Sequence, residues 1–523
     1  MRPSFSPSLH EFLRVSNDFN VVTVWCELVA DFETPVSAYQ KLGTAAPNFL
    51  FESAEQGDHA GRYSFVGSGA RWTMTARGRS MRVVEGADVS EYETKTDPLK
   101  ELESRMSGYR IAPQEGLPEF RGGAVGYLSY DAVRWFEPTV DAPPKDELGV
   151  PDLFYLLPET IVAFDHRMRR MKVMANAYVE GDDREANYAD AVSRILTVMR
   201  KLEQPLAVKP MFTSASSVNP IAPVSSEPRA NTTRDEYFEM VERAKEYIRA
   251  GDIFQMVPSQ RFETEFSGDP LDLYRSLRFV NPSPYLFCLR VEEGFSIVGS
   301  SPEVHVKVTD GLIEIRPLAG TRKRGESEAE DLALEEELLA DPKERAEHLM
   351  LVDLARNDVG RIAEFGSVRV DDFMTVERYS HVMHIVSHVS GQLAGGRSGF
   401  DVMRATFPAG TVSGSPKVRA MQIINELERS KRCVYSGAVG YFGFDGNLDS
   451  CIALRTIVLK DRVAYVQAGG GLVADSTAQG EYDESVNKAK AAMRAVALAN
   501  HFGSDPESGA GMDNPKSEIR NPK

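Results

Sequence analysis

AYVQAGGGLVADSTAQGEYDESVNKAKAAMRAV, residues 464–496, holds both periodicities from which the fold is read. Ala464 to Gln467 is a short apolar run of strand length, and from Glu481 onward a helix opens in which Glu484 and Lys488 make the favourable i, i+4 pair. Between them lies Ala468-Gly469-Gly470-Gly471, a loop whose backbone N–H groups can approach a ligand closely and bind an anion. Further strand-like runs, Ile253 to Val257, Phe295 to Val298, Val304 to Val308, Ile313 to Arg316 and Val434 to Phe442, alternate with helical segments. The C-terminal half is therefore expected to be an α+β domain.

Working outward, Thr233-Arg-Asp-Glu236 is a capping box for a helix that places Tyr237, Val241, Ala244 and Ile248 on one face and stops at Gly251. Before it, residues 204–232 hold five prolines among small polar residues, the composition of a linker or exposed excursion. Upstream again, Tyr188, Ala191, Val192, Ile195, Leu196 and Met199 follow helical spacing, and Val21 to Trp25, Arg62 to Val66 and Ile161 to Phe164 read as strands. The expected divisions are an α+β region over 1–203, the linker over 204–232, a larger domain over 233–502 and a mobile tail over 503–523.

The 523-residue chain carries 60 Lys plus Arg against 77 Asp plus Glu, a formal charge of −17. Such a surface repels phosphate backbones and anionic lipid, so neither nucleic acid nor a membrane is an expected partner. Four cysteines, Cys26, Cys288, Cys433 and Cys451, form no C-x-x-C pair, so no disulfide framework or zinc knuckle is indicated and a reducing cytoplasm fits. The first residues lack an apolar stretch of signal-peptide length, and no run of about 18 apolar residues occurs to span a membrane.

Two acidic pairs stand at helix starts. Asp341-Pro342-Lys-Glu344 combines an N-cap, proline at the first helical position and a glutamate three residues past the cap. Glu344 and Glu347 share a face, as do Glu481 and Glu484 beside the glycine loop. Each pair alone is consistent with capping or a surface ion pair. Four carboxylates converging beside an anion-binding loop need a cation, and oxygen ligands of this kind suit Mg²⁺ bridging to an anionic substrate. His381, His384 and His388 would share one side of a helix as zinc ligands, but the β-branched residues among them argue for a strand, with His381 on the opposite face from the other two. Ala409 to Lys417 resembles a phosphate loop only in composition. Arg455 falls in an apolar run read as a strand, where a buried guanidinium needs either a structural ion pair or a bound carboxylate.

PLAGTRKRG (317–325), KERAEHLMLVDLARNDVGRI (343–362), RYSHVMH (378–384), FPAGTVSGSPK (407–417), YSGAVGYF (435–442), CIALRT (451–456) and AGGGLVADS (468–476) together resemble the chorismate-utilising enzymes, and among them the anthranilate-forming branch. The resemblance covers nearly the whole chain apart from linker and tail. It implies large antiparallel β-sheets flanked by helices, with the active site between them. It implies that Glu347 and Glu484 ligate Mg²⁺ directly, with Glu344 and Glu481 supporting through water. Ala468, Gly469, Gly470 and Gly471 would cradle the ring carboxylate of chorismate, Tyr435 and Arg455 the enolpyruvyl carboxylate with Lys488 nearby, and Thr321, Thr411 and His384 would line the ring. Glu303 is the implied general acid for the departing C4 hydroxyl, assisted by His384.

Gln255 stands where water-using relatives carry a lysine base, and Ala319 where aminodeoxychorismate-forming relatives carry a nucleophilic lysine, so anthranilate is the expected product. Leu50-Phe-Glu52-Ser53 and Asn281-Pro-Ser-Pro284-Tyr285-Leu286, with Val439 and Tyr441, resemble the family's tryptophan-binding segments and imply feedback inhibition. No cysteine sits in a nucleophile elbow, so ammonia is expected from a partner glutamine amidotransferase. A non-catalytic tryptophan- or chorismate-binding regulator would lack the acid or the metal ligands, yet Glu303, Glu347 and Glu484 are all present.

Overall fold

Leu153–Asp165 is a nearly continuous apolar run, and as a strand it is buried along almost its whole length. The sheet branches from it. In the computed structural model, which describes residues 3–53, 61–141, 145–206, 228–379 and 382–503, this strand pairs with Arg170–Tyr178, Tyr63–Arg77 and Gly123–Leu128. One arm continues from Tyr63–Arg77 through Asn48–Glu52, Tyr285–Glu292, Phe295–Ser301, Thr456–Lys460 and Val463–Gly469 to Ser259–Glu265. The other runs from Gly123–Leu128 through Ala438–Gly443, Leu448–Ile452, Val304–Thr309 and Leu312–Ile315 to Val382–Gln392, which also pairs with Leu318–Lys323 and Arg369–Arg378. Every one of these ladders is antiparallel, and helices flank the sheet, as the sequence led us to expect.

Both arms interleave strands from before residue 203 with strands from after residue 233. Of the expected linker, 207–227 lie outside the described residues, while Arg229–Ala230 add a short pairing to Phe262 and Glu263. The expected tail lies outside them too, apart from Gly503, the last residue of helix Ala478–Gly503.

The chain passes between the arms at two places. Pro302-Glu303 carries it from the first arm to the second, and Ala453-Leu454-Arg455 carries it back. These crossings are bonded together: the Ile452 N–H donates to the Glu303 carbonyl at 3.0 Å and the Ser300 N–H to the Arg455 carbonyl at 3.3 Å.

Helix Arg234–Ala250 has the expected capping box between Thr233 and Glu236 and ends at Gly251, whose φ of 84° suits glycine. Helix Pro342–Gly360 starts from Asp341, whose carboxylate accepts from the Lys343 and Glu344 N–H groups. Helix Ala478–Gly503 packs on helices Arg234–Ala250 and Pro270–Val280 and on strand Val463–Gly469. Helix Arg184–Leu202 buries Ala191, Ile195, Val198 and Leu202; Leu196, expected on the same face, is 37% exposed because it lies about 100° round the axis from Ile195.

Three expectations for strands are corrected. Within Ile253 to Val257 only Gln255–Met256 is a strand, paired with Ser415 and Gly414. In Val434 to Phe442 the ladder starts at Ala438, and residues 434–436 form a turn in which Ser436 has φ 64°. Arg455 is not in a strand: it sits in the second crossing with φ 46°, since strand Leu448–Ile452 stops three residues earlier.

Candidate functional site

Glu303 is buried at the first crossing, and burial pushes its carboxyl up to about 8, against the opposing pull of Thr411, Lys488 and Arg455. The Thr411 hydroxyl is itself buried, and both residues line one small void. At neutral pH this carboxyl holds its proton. Arg455 comes to the same place from the second crossing. Burial lowers its basicity while Glu303 raises it. Its guanidinium has Asn281 Oδ1 as a partner at 3.4 Å, and no carboxylate lies within ion-pair distance of it among the described residues. The Ser436 N–H donates to the Ala453 carbonyl at 3.1 Å, which ties the turn carrying Tyr435 to the crossing carrying Arg455. Tyr435 is buried, and burial raises its hydroxyl to about 12.

His384 lies opposite Thr321 on paired strands. Its Nδ1 is 3.0 Å from the Gly320 carbonyl and 3.0 Å from Thr321 Oγ1. A carbonyl can only accept, so Nδ1 carries the hydrogen and Nε2 is left as an acceptor. Burial lowers the ring's pKa, so the imidazole is neutral at pH 7. The strand expectation for this segment holds, and His388 pairs with Glu314 at 3.0 Å; among the described residues it belongs to no group of metal-ligating side chains. His381 lies outside the described residues.

The acidic helix starts meet at the glycine loop. Strand pairing extends through Ala468 and Gly469, so the loop proper begins at Gly470. A Cβ at Gly470 would lie 2.8 Å from Glu484 Cδ and 3.0 Å from Glu481 Oε2; one at Gly471 would lie 3.3 Å from Glu347 Oε1 and 2.5 Å from Gln255 Nε2. Neither glycine has a positive φ, so the requirement is space for these side chains. Gln255 Nε2 donates to Glu347 Oε1 at 3.1 Å. Burial, then Glu344 and Glu484, raise the Glu347 carboxyl, while the Gln255 bond lowers it. Burial and Glu484 likewise raise Glu481, whose Oε2 is buried with no hydrogen-bond partner among the described residues. Lys488 Nζ pairs with Glu484 at 2.7 Å. Glu344 pairs with Arg322 at 3.3 Å.

This donor set fits a hard divalent cation. It has carboxylate oxygens from two helices, a buried Oε2 with no hydrogen-bond partner among the described residues, and carboxyls raised by burial and then by one another. Among the described residues no three His, Cys, Asp or Glu side chains close on one point by themselves. A cation here would keep water or substrate oxygens in its shell, as Mg²⁺ does.

A second cavity, of about 420 Å³, is lined by strands of both arms. Glu52, Ser53, Pro284, Tyr285, Leu286, Val439 and Tyr441, taken from distant segments, all line it, together with Pro302 and Glu303 of the first crossing. Glu52 is buried and accepts from the Tyr274 hydroxyl, with Arg278 Nε at 3.3 Å. Sequence reasoning missed Asp449, which lines this cavity, accepts from the Tyr285 hydroxyl at 3.2 Å and is raised by burial to about 6. It missed Asn281 as the partner of Arg455; the only signal was its place at the head of N-P-S-P.

The fold is α+β, and Glu303 and Arg455 come together where the chain crosses between two arms of one antiparallel sheet. The profile of the chorismate binding enzymes matches residues 46–494, and the chain belongs to that family. Anthranilate synthase component 1 of Aquifex aeolicus is 47% identical over 493 residues, 94% of this chain and 98% of its own. The protein of that name from Pseudomonas putida is 46% identical over 494 residues, 94% and 98% of the two chains. The crystal structure of anthranilate synthase component I from Streptococcus pneumoniae aligns with a TM-score of 0.72 at 35% identity, covering 89% of this chain and 98% of that one. The menaquinone-specific isochorismate synthase of Escherichia coli shares the fold at a TM-score of 0.67 and 17% identity, over 93% of this chain and 98% of its own. No helix among the described residues is long and apolar enough to cross a membrane.

Proposed function

We propose that this chain is the aminating component of anthranilate synthase, converting chorismate and ammonia to anthranilate, pyruvate and water. The observation that carries the proposal is the meeting of Glu347, Glu481 and Glu484 at Gly470-Gly471, together with a protonated Glu303 at the first crossing. The names of the similar proteins support it.

Glu347 and Glu484 would hold Mg²⁺ directly, with Glu344 and Glu481 through water. The bound ion would supply positive charge for the ring carboxylate of chorismate and steady the charge that develops there. Arg455, its guanidinium held among the described residues by a neutral amide, and the Tyr435 hydroxyl would take the enolpyruvyl carboxylate. Glu303 would deliver its proton to the C4 hydroxyl, which leaves as water while ammonia adds at C2; the proton shed by the new nitrogen balances the one spent. Loss of the C2 hydrogen and cleavage of the C3–O bond would then release enolpyruvate, which takes up a proton as pyruvate, and leave an aromatic ring. His384, neutral with Nδ1 carrying the hydrogen and Nε2 an acceptor, suits hydrogen bonding and orientation, so the acid role falls to Glu303. Gln255 would offer its carbonyl oxygen to an ammonia N–H, and neither it nor Ala319 supplies a base or a nucleophile for the reactions of other family members.

Ammonia at neutral pH is mostly ammonium, so a partner glutamine amidotransferase would supply it along a shielded path. Tryptophan would bind in the cavity of about 420 Å³, a size suited to a small ligand, with its indole among Pro284, Tyr285, Val439 and Tyr441. Because Pro302 and Glu303 line that cavity too, an occupant would be felt directly at the acid. Four buried free cysteines suit a cytoplasmic enzyme.

The test is anthranilate fluorescence from chorismate, Mg²⁺ and an ammonium salt with the purified chain. Anthranilate with ammonium, and none with glutamine until a second subunit is added, is expected; salicylate, aminodeoxychorismate or no product would overturn the proposal.

A further inference from the structure

Arg455 is bonded on two sides by one small network. Its carbonyl accepts from the Ser300 N–H at 3.3 Å, which secures the left-handed turn, and its Nη1 donates to Asn281 Oδ1 at 3.4 Å. A guanidinium has no acceptor, so the amide oxygen of Asn281 must face it, and Nδ2 points the other way. There Nδ2 donates to Ser300 Oγ at 3.1 Å and to Ser283 Oγ at 3.3 Å, and Ser300 Oγ donates back to the Asn281 carbonyl. Both donors and the acceptor of the Asn281 side chain are thus used, and its orientation is fixed. Asn281 caps the C-terminal end of helix Pro270–Val280, so the network is anchored to a packed element.

The chemical nature of this partner matters. An aspartate in the same place would orient Arg455 equally well but would neutralise it, leaving little attraction for an incoming carboxylate. An apolar residue would preserve the charge and lose the orientation. A neutral acceptor does both jobs. We propose that Asn281 is the positioning residue for Arg455, aiming the guanidinium across the crossing while leaving its charge free for a carboxylate of the substrate. The inference rests on the proposed role of Arg455 as the carboxylate-binding group.

The experiment measures kcat and KM for chorismate in the ammonium-dependent reaction, alongside thermal unfolding. Asn281→Asp is expected to raise KM by about tenfold or more with little change in kcat, because a charged hydrogen bond to the substrate is lost in ground and transition states alike. Asn281→Leu is expected to raise KM by several-fold. In the Arg455→Lys background Asn281→Asp should add little, since it acts through Arg455. If Arg455→Lys leaves KM unchanged, the carboxylate-binding role itself fails. If Arg455→Lys raises KM but neither Asn281 variant does, only the positioning role fails. A fall in kcat at constant KM, or loss of folding in both Asn281 variants, would make Asn281 a structural residue and also overturn the inference.

Discussion

Gln255 donates its side-chain amide to Glu347 at 3.1 Å, so a two-residue strand fixes the carboxylate of a helix 92 positions away in sequence. Glu347 is thereby held against Gly471, next to Gly470, which Glu484 and Glu481 crowd. Partners that orient a metal ligand in this way typically contribute 10- to 100-fold in metal affinity. Gln255→Leu should weaken Mg²⁺ binding by about that factor, measured by titration calorimetry on a chain whose circular dichroism is unchanged.

Glu303 sets a pH dependence with a definite sign. Its carboxyl titrates near 8 in the folded chain against an ordinary value of 4.5. The acid is competent while protonated, so turnover at a fixed concentration of free ammonia should decline as pH rises through about 8. Glu303→Gln should lower kcat by about 10²- to 10⁴-fold, the usual contribution of a general acid. Stability also falls as pH rises. A raised folded pKa favours the fold fully below 4.5 and loses that contribution as pH climbs to about 8, so Glu303→Gln should gain stability relative to the natural chain across that window in thermal melts.

Gly470→Ala places a methyl group 2.8 Å from Glu484 Cδ and 2.9 Å from Oε1. The carboxylates must shift, and displacement of about an ångström at a reacting site costs on the order of 10²-fold in rate. Magnesium-dependent turnover should fall by about that factor while the melting temperature stays within a few degrees. Retention of full activity would mean that these carboxylates do not set the geometry of the reaction.

What could be read from the sequence was local. Asp341, Pro342, Thr233, Glu236 and Gly251 announce helix ends because capping is decided within four residues, and the structure keeps each of them. Arg455 was misplaced because CIALRT is apolar enough for a strand, whereas its left-handed turn depends on bonds to Ser300 and Asn281, more than 150 residues away. The pairing of Asn48–Glu52 with Tyr285–Glu292, which builds one wall of the larger cavity, is likewise long-range and carries no local signal. The site residues were named through family motifs. Helical spacing alone could bring Glu344 to Glu347 and Glu481 to Glu484, but could not bring one pair to the other.

Val439 lines the larger cavity from strand Ala438–Gly443. Val439→Phe would occupy the space proposed for the indole ring. Tryptophan should then inhibit at least about tenfold less well, the loss expected when a ligand's apolar contacts are blocked, while ammonium-dependent anthranilate formation continues. Undiminished inhibition in this variant would place the effector elsewhere.

The claim on which the catalytic account rests is that Glu347 and Glu484, from helices Pro342–Gly360 and Ala478–Gly503, serve a single ion. Titration calorimetry of Mg²⁺ into the natural chain, Glu347→Gln, Glu484→Gln and the double variant tests it directly. The account predicts one site, abolished by either substitution alone, with the double variant no worse than either single one. Retention of Mg²⁺ binding after Glu347→Gln or Glu484→Gln, or independent and additive losses from two sites, would contradict it.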